Sequence, residues 1–184
     1  MKALWIAACL FLAGCVSVPK TAWLDPDAPV VMPDASLVAV NFRFDDQRPN
    51  SVALHYPDGS QVSTDPEFPL RLQQRLAQGL EARGYAISND ANAQLTVSLQ
   101  SVQANIGHGL VRHTSDLTVV TKVIARRGNH TLTRRFTTAG KLTAPLKADA
   151  GRIESEMNRL LEKNMLAILT DSQLSRFFNV TTGE

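Results

Sequence analysis

The sequence predicts an α+β domain: an antiparallel β-sheet packed by two main helices, in the order β-α-β-β-β-α. Long alternating runs flank the turn pair Gly128-Asn129, which has strong hairpin character. Leu72, Leu76 and Leu80 recur at helical spacing, as do Ile153, Met157, Leu160, Leu161, Asn164 and Ile168. A further alternating run precedes the first of these helices.

That run, Leu37 to Phe44, places Val38, Val40, Phe42 and Phe44 on one face, as in a half-buried strand. Residues 45 to 66 are rich in turn signals, namely Asp45-Asp46, Arg48-Pro49-Asn50 and Pro57-Asp58-Gly59, around a short apolar piece from Val52 to Tyr56 that reads as a minor strand. A helix is expected from about 69 to 83. Pro69 suits its first turn and Gly84 follows its last residue, Arg83. In Ala93 to Ile106 the apolar phase slips from Leu95, Val97 and Leu99 to Val102, Ala104 and Ile106, which a β-bulge near Gln100-Ser101 would absorb. Asp116 to Arg127 and His130 to Leu142 form the hairpin, and Pro145 ends its ladder. Helical spacing returns from about Asp149. Asp171 caps a short final turn carrying Leu174, Phe177 and Phe178.

The N-terminus carries the clearest functional signal. Lys2 precedes eleven consecutive apolar residues, Ala3 to Ala13, a signal-peptide length far short of the roughly 20 needed to span a bilayer. Leu12-Ala13-Gly14-Cys15 closes the run as a lipobox, so residues 1–14 read as a lipoprotein signal peptide and Cys15 as the lipid-attachment site. Ile6-Ala7-Ala8-Cys9 has similar residue types but leaves too short an apolar run. After cleavage Cys15 is the sole cysteine, so no thiol remains for a disulfide, a zinc site or a nucleophile. Val16-Ser17 follows it without an aspartate, which under enteric-type sorting implies the periplasmic face of the outer membrane. Pro19, Pro26, Pro29 and Pro33 make residues 15–36 a lipidated cysteine followed by a tether of about 65 Å reach at ~3.1 Å per residue. The alternative is that Ala28 to Met32 adds as an edge strand. Residues 37–180 form a single globular domain.

In this order and spacing, the lipobox, the proline-containing segment, Asp46-Gln47-Arg48, Ala82-Arg83-Gly84-Tyr85, the Gly128-Asn129 hairpin and the closing helix resemble the YajG-type bacterial lipoproteins over nearly the whole chain. The resemblance implies an envelope lipoprotein. It brings no activity, substrate or catalytic residue.

No catalytic motif is present: no G-x-S-x-G elbow, no H-E-x-x-H, no phosphate-cradling glycine loop. No enzyme activity and no metal site are expected. His108, His113 and His130 lack a carboxylate or cysteine to complete a metal site and read as turn residues. Asp45, Asp46 and Asp58 lack the spacing of a calcium loop, and Asp46 and Arg48 read as turn and ion-pair residues. No cofactor is expected beyond the covalent diacylglycerol and N-acyl (palmitate-type) lipid on Cys15.

Charge is unevenly spread. Residues 16–106 carry six basic and ten acidic side chains, residues 107–147 eight and one, and residues 148–184 four and six. Arg126, Arg127, Arg134 and Arg135 surround the hairpin turn, and guanidinium groups match phosphate and carboxylate bidentately. They are candidates for an anionic-ligand or partner surface, whose plainer reading is a solvated face. An exported protein without aromatic residues among these arginines is not a nucleic-acid binder. The expected function is a non-catalytic envelope lipoprotein, membrane-bound through its lipid anchor, that binds or supports an envelope protein, anionic lipid or peptidoglycan. The alternative is an accessory subunit of a lipid or lipopolysaccharide transport or envelope assembly complex.

Overall fold

The computed structural model describes residues 21–34, 38–107, 112–145 and 149–179; Cys15 and His108 lie outside these. In chain order the elements are β1 (Thr21–Ala22), β2 (Ala39–Asp46), β3 (Val52–His55), β4 (Gln61–Thr64), α1 (Phe68–Arg83), β5 (Ala86–Ile87), β6 (Ala93–Gly107), β7 (Arg112–Arg127), β8 (His130–Pro145), α2 (Ala150–Leu169) and α3 (Ser172–Asn179).

The expected helices and long strands form, but the sheet is mixed rather than purely antiparallel, and the order is richer than β-α-β-β-β-α. β6, β7 and β8 make an antiparallel meander. β2 lies parallel to β6, from Val40 opposite Ala93 to Asp46 opposite Leu99, and β3 joins β6 in parallel at Leu54 and Ala104. β4 pairs antiparallel with β3, while β1 and β5 add in parallel to β4 and β2. The cause is the helical crossover. α1 between β2 and β6 carries the chain back along the sheet, so β6 enters in the same direction as β2.

The phase slip in β6 is a register shift between Leu99 and Ser101. β2 pairing ends there, with the Gln47 amide donating to the Leu99 carbonyl at 2.9 Å, and β3 takes over the same edge further on. The bulge returns Val102, Ala104 and Ile106 to the face already used by Leu95, Val97 and Leu99. Gly128 supports the two-residue hairpin turn at φ 55°.

Both long helices pack on that apolar face. α1 buries Leu72, Leu76 and Leu80 and ends on Gly84, whose φ of 111° is the left-handed cap conformation. α2 begins at Asp149, whose carboxylate accepts from the Gly151 amide at 3.0 Å, and buries the expected stripe from Ile153 to Ile168. Gly79 lets α1 approach α2, since a Cβ there would lie 2.5 Å from Leu169 Cδ1. Asn164, in the middle of the stripe, is buried but satisfied. Its carbonyl accepts from Thr121 Oγ1 at 2.7 Å and its amide donates to Thr138 Oγ1 at 3.1 Å.

The stretch expected as a free tether is docked over residues 21–34. It lies as a strap between α1 and α2, with Ala22, Leu24 and Pro26 buried. The amides of Trp23, Asp25 and Asp27 donate to Glu154 Oε1, Asn158 Oδ1 and Glu162 Oε1 at 3.1, 3.0 and 3.1 Å. Two strand residues rise about 6.7 Å and four helical residues about 6 Å, so alternate amides stay in step with successive turns of α2. On the other side Arg71 donates to the Leu24 carbonyl at 2.9 Å, and Arg83 pairs with Asp34 at 3.3 Å.

Candidate functional site

Strand alternation decides what the basic hairpin can do. Arg126 and Arg135 lie on the sheet face opposite the helices, whereas Arg127 and Arg134 lie on the helix face. The four arginines therefore form two pairs, not one surface. Arg127 donates to the Phe178 carbonyl at 2.9 Å, and Arg134 pairs with Asp171 at 2.9 Å. Asp171 also caps α3 through the Gln173 and Leu174 amides at 3.0 and 2.8 Å. These two arginines hold the last helix in place.

The opposite face is largely polar across four strands, with Ser98 and Val120 buried among their neighbours. One row runs Asp45, Ser98, Lys122, Arg135; the next runs Arg43, Thr96, Ile124, Thr133; a third runs Asn41, Gln94, Arg126, Thr131. Lys122 stands directly opposite Arg135, and none of Arg43, Lys122, Arg126 and Arg135 has an ion pair among the described residues. Like charges at such a position oppose folding by a few tenths of a kcal/mol up to about 1 kcal/mol. At the far end of the sheet Lys141 sits 3.5 Å from Asp116, so the uncompensated charge is concentrated toward the turn. Sequence reasoning found Arg126 and Arg135 but missed Lys122 and Arg43. Counting by twos from Arg126 gives Lys122; Arg43 needed the parallel pairing of β2.

A groove of about 560 Å³ opens between the strap and α2, bordered by Trp23, Asp25, Asp27, Asn158, Arg159 and Glu162. Its polar groups are largely engaged in holding the strap. Trp23 stacks under the Arg71 guanidinium, 4.2 Å from ring centre to Cζ. Glu156 is held below the usual carboxylate range, first by its hydrogen bond from Arg159 and against the opposing effect of its burial.

The remaining titratable candidates do not converge. His113 pairs across from Ala144 and His130 from Arg127, at opposite ends of β7 and β8. Asp58 accepts from the Ser60 amide at 2.9 Å, and Asp46 pairs with Arg48 at 2.8 Å. Among the described residues no group of three His, Cys, Asp or Glu could hold a metal ion, and no helix is long and apolar enough to cross a membrane.

Comparison with known proteins agrees with the sequence resemblance. The chain is 22% identical over 181 residues to the uncharacterized lipoprotein YajG of Escherichia coli K12, covering 94% of this chain and 93% of that protein. The YajG of E. coli O6:H1 matches to the same extent. Among solved structures, the fold is similar to protein XCC0632 from Xanthomonas campestris, with a TM-score of 0.53 at 10% identity, covering 82% of this chain and 93% of that one. That likeness speaks for the fold alone. The family model described as uncharacterized lipoprotein matches residues 27–179, and the chain belongs to that family.

Proposed function

We propose that the protein is a non-catalytic lipoprotein of the periplasmic face of the outer membrane, anchored through acyl chains on Cys15, whose open sheet face binds phosphate groups of envelope lipids. The observation that carries this reading is Lys122 opposite Arg135, flanked by Arg126 and Arg43 on a face without compensating carboxylates nearer than Asp45. Such an arrangement is unfavourable alone and favourable against an anion. Surrounding Thr96, Thr133 and Gln94 add neutral hydrogen-bonding groups.

Membership of a lipoprotein family supports the anchor, and the Leu12-Ala13-Gly14-Cys15 lipobox supplies its position. The binding test uses vesicles of zwitterionic lipid with and without phosphatidylglycerol. Replacing Arg43, Lys122, Arg126 and Arg135 together by Gln is expected to abolish the preference for anionic vesicles, with the melting temperature unchanged or slightly raised. Added salt weakens the native preference, because the screening length is already about 8 Å at 0.15 M. Replacing Arg127 and Arg134 instead lowers stability and leaves the preference. Equal binding by the native chain and the open-face variant overturns the reading.

A further inference from the structure

We propose that β8 pairs with β8 of a second copy, antiparallel about a two-fold axis at Thr137, to make one continuous sheet. β8 pairs only with β7 among the described strands, without a register shift and without a proline before Pro145. It therefore lacks the bulge and interior proline that commonly blunt a long edge. Arg127 and His130 flank a two-residue turn and so form its first hydrogen-bonded pair; from there the even-numbered residues of β8 direct their backbone groups to β7. The odd-numbered residues, Thr131 to Thr143, direct theirs outward.

The strand nearly matches itself when reversed about Thr137. In that register Thr131 meets Thr143 of the other copy, Leu132 meets Leu142, Thr133 meets Lys141, Arg134 meets Gly140, Arg135 meets Ala139 and Phe136 meets Thr138. Each bulky arginine faces a small residue, and the half-buried Leu132 and Leu142 cover one another. Moving the axis to Thr138 sets Arg135 against Lys141, and moving it to Arg135 sets two arginines together. Thr137 also lies at the middle of the strand, so this register leaves every outward amide and carbonyl from Thr131 to Thr143 with a partner. All odd residues pair with odd residues, so both open faces lie on the same side of the joined sheet.

Cysteine pairing in the full-length, membrane-anchored chain tests the register. Residues in a hydrogen-bonded antiparallel pair have Cα atoms about 5.5 Å apart, within disulfide range. Thr137→Cys is expected to give a disulfide-linked dimer on mild oxidation, and Thr133→Cys none, because its own counterpart would lie roughly 27 Å away along the strand. Light scattering of the native protein, corrected for detergent, should give twice the chain mass, and Thr137→Pro, which removes an outward N–H and fixes φ at an edge position where proline is tolerated, should give the single mass. Absence of the Thr137→Cys dimer, equal linkage at both positions, or a native protein of single-chain mass overturns the proposal.

Discussion

Arg48 shows how much one side chain can organise. It makes a two-pronged contact with Asp46, at 2.9 and 2.8 Å, donates to Thr64 Oγ1 at 3.2 Å and lies 5.1 Å from the centre of the Phe68 ring. β2, β4 and the start of α1 thus meet on a guanidinium whose side chain is only 4% exposed. Arg48→Ala should cost about 3 kcal/mol in denaturant unfolding, since it leaves a partly buried carboxylate without its partner and empties a packed site. Arg126→Gln, on the open face, should change stability by no more than about 0.5 kcal/mol. Equal effects from the two would show that Arg48 is not the joint described. The Asp46-Arg48 pair was legible because two residues of opposite charge bracket one position in a turn. The Thr64 and Phe68 contacts were not, because nothing local reveals which distant residues share a buried site.

The strap is the element that sequence reading missed. Its prolines spoke for a chain without regular structure, and the strap forms no helix and only a two-residue strand. Yet Ala22, Leu24 and Pro26 alternate with Trp23, Asp25 and Asp27, a half-buried pattern too short to stand out beside four prolines. Its partners are helix side chains, which no strand-pairing rule anticipates. Arg71 is the fastening, with Asp65 Oδ1 at 2.9 Å, the Leu24 carbonyl and the Trp23 ring all on one guanidinium. In Arg71→Ala the amides of Trp23, Asp25 and Asp27 should exchange with solvent faster than native, while those of β6 keep their protection. Unchanged exchange at the three strap amides would assign the fastening to α2 alone. The hairpin teaches a related lesson: four arginines within ten residues suggested one patch, and the two-residue period of the strands divided them.

At the scale of the molecule, the positions of α1, α2, the bulge and the hairpin were readable because each leaves a periodic trace of burial. Strand direction leaves a weaker one, and β2 alternates in the manner of an antiparallel strand, so its parallel pairing with β6 was not anticipated. Global stability should also depend on alkaline pH. Burial raises the Tyr85 phenol above its ordinary value, more than its hydrogen bond with Ser175 lowers it, and its ring lies edge-on to Phe178 at 5.8 Å. The unfolded phenol loses its proton near pH 10 while the native one keeps it, so stability is complete below that pH and falls above it. Denaturant midpoints should fall between about pH 9 and pH 11, less steeply in Tyr85→Phe. Parallel slopes in the two proteins would place the effect elsewhere, the raised Tyr56 being next in line.

The docked strap also fixes a distance. Five residues separate Cys15 from Thr21, so an acylated Cys15 and the first docked residue can stand no more than about 20 Å apart. With the acylation proposed for Cys15, a leash that short would confine the domain to a thin layer above the lipid, where its encounters become effectively two-dimensional. The proposed binding to headgroups would then be an intramolecular event at high effective concentration, for which individually weak contacts suffice.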